Sequence, residues 1–280
     1  MQQSKVYILL LFITTTLVTK AQTNVLNAEV GIQAGSAFYF GDLNTRMQLN
    51  APKQAFTLSF RKAFGNYLGA RLSASYGQVG YSDVYSKNAF QKTRNLSFNS
   101  NIWEIAAMAD FHFFKYNPNE DGFGFTPYLV LGVGMFSYDP YAYLQDKKIF
   151  LRPLNTEGQG TALYPDRKPY NTMAICLPLG MGIKYSINQR TSLSFEVVHR
   201  FTNTDYLDDV SKTYAGASAF PLGPDGLATE SSILQDRSYE YGTPIGTKDK
   251  QRGWSKQKDQ YTFVQLGVHF NIMKYNCPKY

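Results

Sequence analysis

No stretch of this 280-residue chain is long and apolar enough to cross a membrane as a helix. Such a helix needs about 20 apolar residues in a row, and the strongest run, Val6 to Val18, is interrupted by threonines. It reads instead as the core of a secretory signal, with Lys5 before it and Thr19-Lys20-Ala21 after it, so residues 1–21 are expected to be removed before Gln22. Cysteine is scarce. Cys176 and Cys277 are the only two, and two cysteines in an exported protein could pair but do not make a disulfide framework. Clustered positive charge is missing as well. The net charge of +7, which falls to +5 once Lys5 and Lys20 leave, is scattered and excludes a nucleic-acid partner. No P-loop, His-Glu-x-x-His, Gly-x-Ser-x-Gly or Cys-x-x-Cys pattern occurs.

What is plentiful is aromatic and amphipathic. The chain carries 21 Tyr and 20 Phe while its hydrophobic fraction stays at 44%, which suits short two-faced strands better than buried helices. Eight segments read as strands, seven by alternation with period two and the fifth as a run apolar on both faces. They run over Glu29–Phe40, Gln54–Lys62, Leu68–Tyr81, Asn101–Phe114, Thr126–Tyr138, Thr172–Ile187, Thr191–Phe201 and Gln260–Ile272. The sixth is the clearest: Met173, Ile175, Leu177, Leu179, Met181 and Ile183 alternate with Ala174, Cys176, Pro178, Gly180, Gly182 and Lys184. The glycine pairs 132/134 and 180/182 fall inside strands with no helix after them, so they read as small residues in a crowded barrel rather than a phosphate cradle.

The links sort by length. Short ones are expected after the second, fourth and sixth strands, and long ones after the first, third, fifth and seventh, the last two near Asp139–Asn171 and Thr202–Asp259. An even strand count with alternating short and long connections is how outer-membrane barrels are built. The expected fold is therefore all-β: an eight-stranded antiparallel transmembrane β-barrel over residues 22–272, with short periplasmic turns, long extracellular loops and a periplasmic tail, 273–280. Glu29, Arg61, Arg71, Glu104, Asp110, Lys184, Glu196 and Arg200 share the face opposite the apolar series. Eight strands leave an interior that side chains can fill, so these four acids and four bases are expected to pair inside a plugged barrel facing outer-membrane lipid. Aromatics near the strand ends suggest two girdles. One holds Phe64, Tyr67, Phe113, Phe114, Tyr116, Phe123, Phe125, Tyr185 and Tyr275 by the short turns; the other holds Phe38, Tyr39, Phe40, Tyr81, Tyr138, Tyr141, Phe201 and Tyr206 by the long loops.

Candidates for chemistry are few. His112, His199 and His269 lie on three different strands and suggest no shared metal, no catalytic residue and no cofactor. Asp205, Asp208 and Asp209 are spaced closely enough to offer hard oxygen ligands to Ca²⁺, but three oxygens fall short of the usual six to eight and a solvated loop base is the plainer reading. Cys176 should face inward near the outer end of its strand, well away from Cys277.

Three segments carry a family resemblance. Tyr39-Phe40-Gly41-Asp42-Leu43-Asn44, the run Arg200-Phe201-Thr202-Asn203-Thr204-Asp205-Tyr206-Leu207-Asp208-Asp209-Val210, and Cys277-Pro278-Lys279-Tyr280 resemble the PorG family of outer-membrane barrels in the type IX secretion and gliding motility machinery. The resemblance implies a non-enzymatic barrel that anchors a periplasmic ring of PorK-like lipoprotein and PorN-like subunits. Contact is then expected through the short turns (Phe64–Tyr67, Lys115–Phe123, Asn188–Arg190) and the tail residues Cys277, Pro278, Lys279 and Tyr280, with a disulfide from Cys277 to a ring subunit. The alternatives are a surface-binding protein whose long loops hold an extracellular ligand and, more remotely, a small lipid enzyme.

Overall fold

The alternating segments fold as expected into strands. The computed structural model describes residues 28–272, so the expected signal, Tyr275 and the tail residues Cys277, Pro278, Lys279 and Tyr280 lie outside the described residues. In chain order the strands are β1 (Ala28–Phe40), β2 (Lys53–Phe64), β3 (Leu68–Ser82), β4 (Ser97–His112), β5 (Phe125–Ser137), β6 (Pro140–Leu144), β7 (Lys147–Phe150), β8 (Met173–Ser186), β9 (Thr191–Thr202) and β10 (Gln260–Ile272). Eight of them, all but β6 and β7, pair antiparallel with their neighbours in sequence. β10 returns to β1 from Ala28↔Ile272 to Phe40↔Gln260, which closes the barrel and leaves no free edge. β6 and β7 form a hairpin inside the long link after β5, set against the outer end of β4 by Asn99↔Tyr141.

Period two now has a physical meaning. Every one of the eight charged strand residues named above is buried in the barrel interior. The other parity is exposed and apolar all the way round: Leu58, Leu72, Trp103, Leu131, Met181 and Leu266 are examples, with Leu266 at 68%. A continuous apolar exterior of this kind would be untenable in water. Hydrocarbon is its natural solvent, and a closed barrel satisfies every ladder group without it. The protein is a transmembrane β-barrel of the outer-membrane type.

Two expectations need correcting. The link after β4 (113–124) is no shorter than the one after β1 (41–52). It folds back instead of projecting: Phe113 N–H donates to Pro127 O at 3.0 Å and Asn117 N–H to Phe123 O at 3.0 Å, so the hairpin continues irregularly past its ladder. Tyr116 turns into the barrel mouth there and is 6% exposed, so it does not belong to the girdle.

The second correction concerns the outer girdle. Tyr39, Phe40, Tyr81, Tyr138 and Tyr141 are all buried, and Tyr206 packs partly against the same cluster. Most share the inward parity, Tyr39 with Glu29 and Tyr81 with Arg71. Tyr39, Tyr81 and Tyr138 make an internal aromatic plug with Phe98, Phe136, Tyr261 and Phe263, while Phe40 meets the His199 ring and Tyr141 the rings of Tyr143 and Phe150. Of the expected outer set, Phe38 and Phe201 keep the outward parity.

Candidate functional site

The barrel interior is layered, and each layer follows from which residues fall on the inward parity. Nearest the short turns is a cluster of three acids and three bases. Arg61 reaches Glu29 at 3.5 Å and Asp110 at 2.8 Å, Arg71 reaches Asp110 at 2.8 Å and Glu196 at 2.7 Å, and Lys184 pairs with Glu29. Small residues make the space. An added Cβ on Gly69 would sit 2.5 Å from Arg61 Nε, and one on Gly31 would sit 2.3 Å from His269 Nδ1. His112 takes a 2.6 Å contact from Arg61 and stacks between Tyr116 and Tyr128. Tyr116 OH lies 2.7 Å from Ser192 Oγ, closing the mouth. The cavity left among Ser59, Arg61, Asp110, His112, Lys184 and His269 measures about 10 Å³, room for one water at most.

A serine and glutamine waist follows, with Thr57 hydroxyl donating to Gln265 at 3.1 Å. Above it Arg200 pairs with Glu104 at 3.2 Å, and Tyr261 OH donates to Glu104 at 2.6 Å. Cys176 is buried beside them, a free thiol 3.8 Å from Glu104 Oε2, in the inward position expected. The aromatic plug then fills the outer end.

Over the plug sits a cap built from the long links. Two buried arginines tie it together. Arg94 forks onto Asp83 with two contacts of 2.7 Å and donates to the carbonyls of Arg252 at 2.6 Å and Asp42 at 3.1 Å. Arg252 donates to Asp209 O at 2.6 Å and Gln235 O at 3.1 Å, and pairs with Glu157 at 3.3 Å. Links from four parts of the chain thereby share one network. Neither arginine stands out in sequence, because a loop arginine is ordinarily solvated.

The three aspartates singled out earlier belong to this cap, and each goes to a different partner. Asp205 accepts from Ser211 Oγ at 2.6 Å. Asp208 accepts from Tyr39 OH at 2.5 Å and Val210 N–H at 2.9 Å. Asp209 accepts from Thr156 at 2.5 Å and Tyr170 at 2.7 Å. Among the described residues, no group of three or more His, Cys, Asp or Glu side chains is arranged to hold a metal ion. Asp42 and Asp259 complete an acidic layer that sequence spacing could not reveal. Tyr39 OH also lies 3.0 Å from Asp259, and a phenol carries one proton. A proton held on one of the two carboxyls lets both contacts form as hydrogen bonds. Burial, reinforced by the neighbouring carboxylates, pushes Asp208 and Asp259 well above the usual carboxylate range. It also raises Asp205 to about 7 and Asp42 to about 6.

Catalytic geometry is not assembled from these parts. Ser194 Oγ does lie 2.7 Å from His269 Nε2, but both are buried in the filled interior, and the nearby Glu29 is held by Lys184. His199 points outward near the outer rim, where its ring nitrogens meet Thr262 and Gln260 at 2.7 and 2.8 Å. His112 and His269 line the same small cavity, and His199 lies apart from both.

No curated protein matches the chain. Among solved structures, Neisserial surface protein A is similar at 12% identity and a TM-score of 0.43, covering 89% of this chain and 100% of that one. Ail of Yersinia pestis is similar at 10% identity and 0.41, with the same coverage. A major outer membrane protein from Thermus thermophilus follows at 14% and 0.37, covering 88% of this chain and 99% of that one. A family described as a domain of unknown function matches residues 4–220, more than half of the chain, and the protein therefore belongs to the DUF6089 family.

Proposed function

We propose that the protein is a non-enzymatic outer-membrane anchor, a barrel that offers its two faces to partners and passes nothing through its interior. The observation that carries this reading is closure at every level: paired charges below, an aromatic plug above them, and a cap tied by Arg94 and Arg252. A channel would need a continuous polar lumen, and an enzyme would need its nucleophile open to substrate.

The finer reading follows the PorG resemblance. The periplasmic side holds a ring of PorK-like lipoprotein and PorN-like subunits belonging to a type IX secretion or gliding apparatus. Supporting it are exposed Phe64, Tyr67 and Phe123 on the links after β2 and β4, which give a partner apolar footholds. Cys277 would add a covalent link. Purification from native membranes in gentle detergent tests the reading. A ring should accompany the barrel, and non-reducing gels should show a band at the summed mass that vanishes with reductant and in Cys277→Ser. A barrel that purifies alone removes the anchor role, whereas freely alkylated Cys277 within an intact ring removes the disulfide and leaves the ring.

A surface-binding role is the second reading. It is favoured by the apolar residues that the cap exposes, Leu222, Leu227, Tyr241 and Trp254 among them. A lone barrel that captures an extracellular ligand in the same purification supports it.

A further inference from the structure

The lipid-facing wall is not uniformly smooth. On its outer half, where β2 to β5 meet, it holds an open groove of about 650 Å³ lined by Phe56, Leu58, Ala74, Trp103, Ile105 and Met135. Its floor comes from one small residue in a large row: Ala74 lies between Leu58 and Ile105 in register, so the wall dips where its neighbours stand out. One row towards the outside, Phe56, Tyr76 and Trp103 align, and the Tyr76 and Trp103 rings pack at 4.8 Å. Beyond that row the outward residues turn polar. Tyr76 OH reaches Asn101 at 3.5 Å, and Gln78 Nε2 donates to Tyr141 OH at 2.8 Å. The hydrocarbon therefore ends near Trp103.

Directly above is a cation. Lys148 on β7 holds its Nζ 3.8 Å from the Tyr141 ring and 4.8 Å from the Phe150 ring, while its neighbour Lys147 is paired with Glu230 at 2.7 Å. Tyr141 is in register with Asn99, four residues past Trp103. At about 3.3 Å per residue and a tilt near 40°, Tyr141, with the Lys148 Nζ over its ring, stands roughly 10 Å beyond the hydrocarbon edge. The polar layer of each leaflet is about 5–8 Å thick, and a lysine side chain can reach down into it.

We propose that this face binds one anionic lipid of the outer leaflet, with an acyl chain lying over Ala74 and its phosphate at Lys148. Apolar trough, aromatic shelf, amide and phenol groups, and cation follow one another along β3 and β4 in the order that a phosphate-bearing lipid presents chain, ester region and headgroup. The proposal rests on the barrel's placement in a bilayer and is independent of the ring, so either can fail alone.

Native mass spectrometry of the full-length barrel tests it, after exchange into micelles doped with phosphatidylglycerol or phosphatidylcholine of identical chains. The wild type should retain one phosphatidylglycerol at about tenfold higher occupancy than phosphatidylcholine. Lys148→Glu should bring phosphatidylglycerol down to the phosphatidylcholine level, and Ala74→Trp should lower both lipids. Ala74→Leu serves if the tryptophan variant loses heat-modifiable gel migration, the independent check of folding. Equal retention of the two lipids by the wild type overturns the proposal, as does undiminished phosphatidylglycerol in either folded variant. A dimer of barrels in place of the lipid adduct also overturns it, because a second copy would then own the groove.

Discussion

Asp110→Asn tests whether the barrel is filled by pairing or merely lined with charge. Asp110 receives 2.8 Å contacts from both Arg61 and Arg71 and is 2% exposed. The asparagine keeps the shape but turns one acceptor oxygen into a donor that faces guanidinium groups, which have nothing to accept with. One charge-assisted bond is lost at about 1.5–3 kcal/mol, and the other is weakened because its acceptor is no longer charged. Glu29 and Glu196 still hold one arginine apiece, which offsets part of that loss. Breaking one member of a buried pair typically costs about 3–5 kcal/mol, and that range is expected here, a 100-fold or larger shift in the unfolding constant. Urea unfolding of the barrel in lipid vesicles, followed by heat-modifiable gel migration, reads it. Adding Arg71→Met rebalances the cluster and should recover at least about 1 kcal/mol through coupling between the two sites. An Asp110→Asn barrel within about 1 kcal/mol of wild type would refute the reasoning, since the carboxylate would then be hydrated rather than paired.

Leu266→Arg should destabilise the barrel by about 2–4 kcal/mol near the bilayer midplane, while Leu222→Arg, equally exposed but on the cap, should change stability by less than about 0.5 kcal/mol. In planar bilayers the purified protein should give no stable conductance, and open steps of porin size would contradict the closed interior. The cap should loosen with rising pH. Asp205 and Asp42 titrate at about 7 and 6 in the folded cap, above the ordinary carboxylate range, mainly through burial. The folded state thus holds protons that the unfolded chain releases near pH 4, and that stabilisation is full below this value and fades as pH rises through 6 and 7. Once the intrinsic base-catalysed rise is divided out, the protection of amides in residues 203–259 should fall between about pH 5 and pH 8, and constant or rising protection would argue against it.

How much was legible before folding varies with distance along the chain. A strand's faces are set by parity, so Glu29, Arg61, Arg71 and Lys184 could be placed inside from neighbours two residues away. The same rule assigns Tyr39 and Tyr81 to the interior, and the girdle assignment failed where proximity to a loop was weighed above parity. The loop after β4 was misjudged for another reason: its length says nothing about whether Tyr116 projects or folds back onto His112.

By itself the sequence determined the eight barrel strands, their inward and outward faces, and hence the solvent the barrel needs, because these depend on a two-residue period and on overall composition. Tertiary structure alone decided which acid meets which base. Asp110 could have served several arginines, and only the ladder register sets Arg61 and Arg71 beside it. It alone decided that Arg94 and Arg252, 158 residues apart, lock one cap, and that Ala74 becomes a groove beneath Lys148. Contacts across such separations depend on closure of the barrel, which no local pattern encodes.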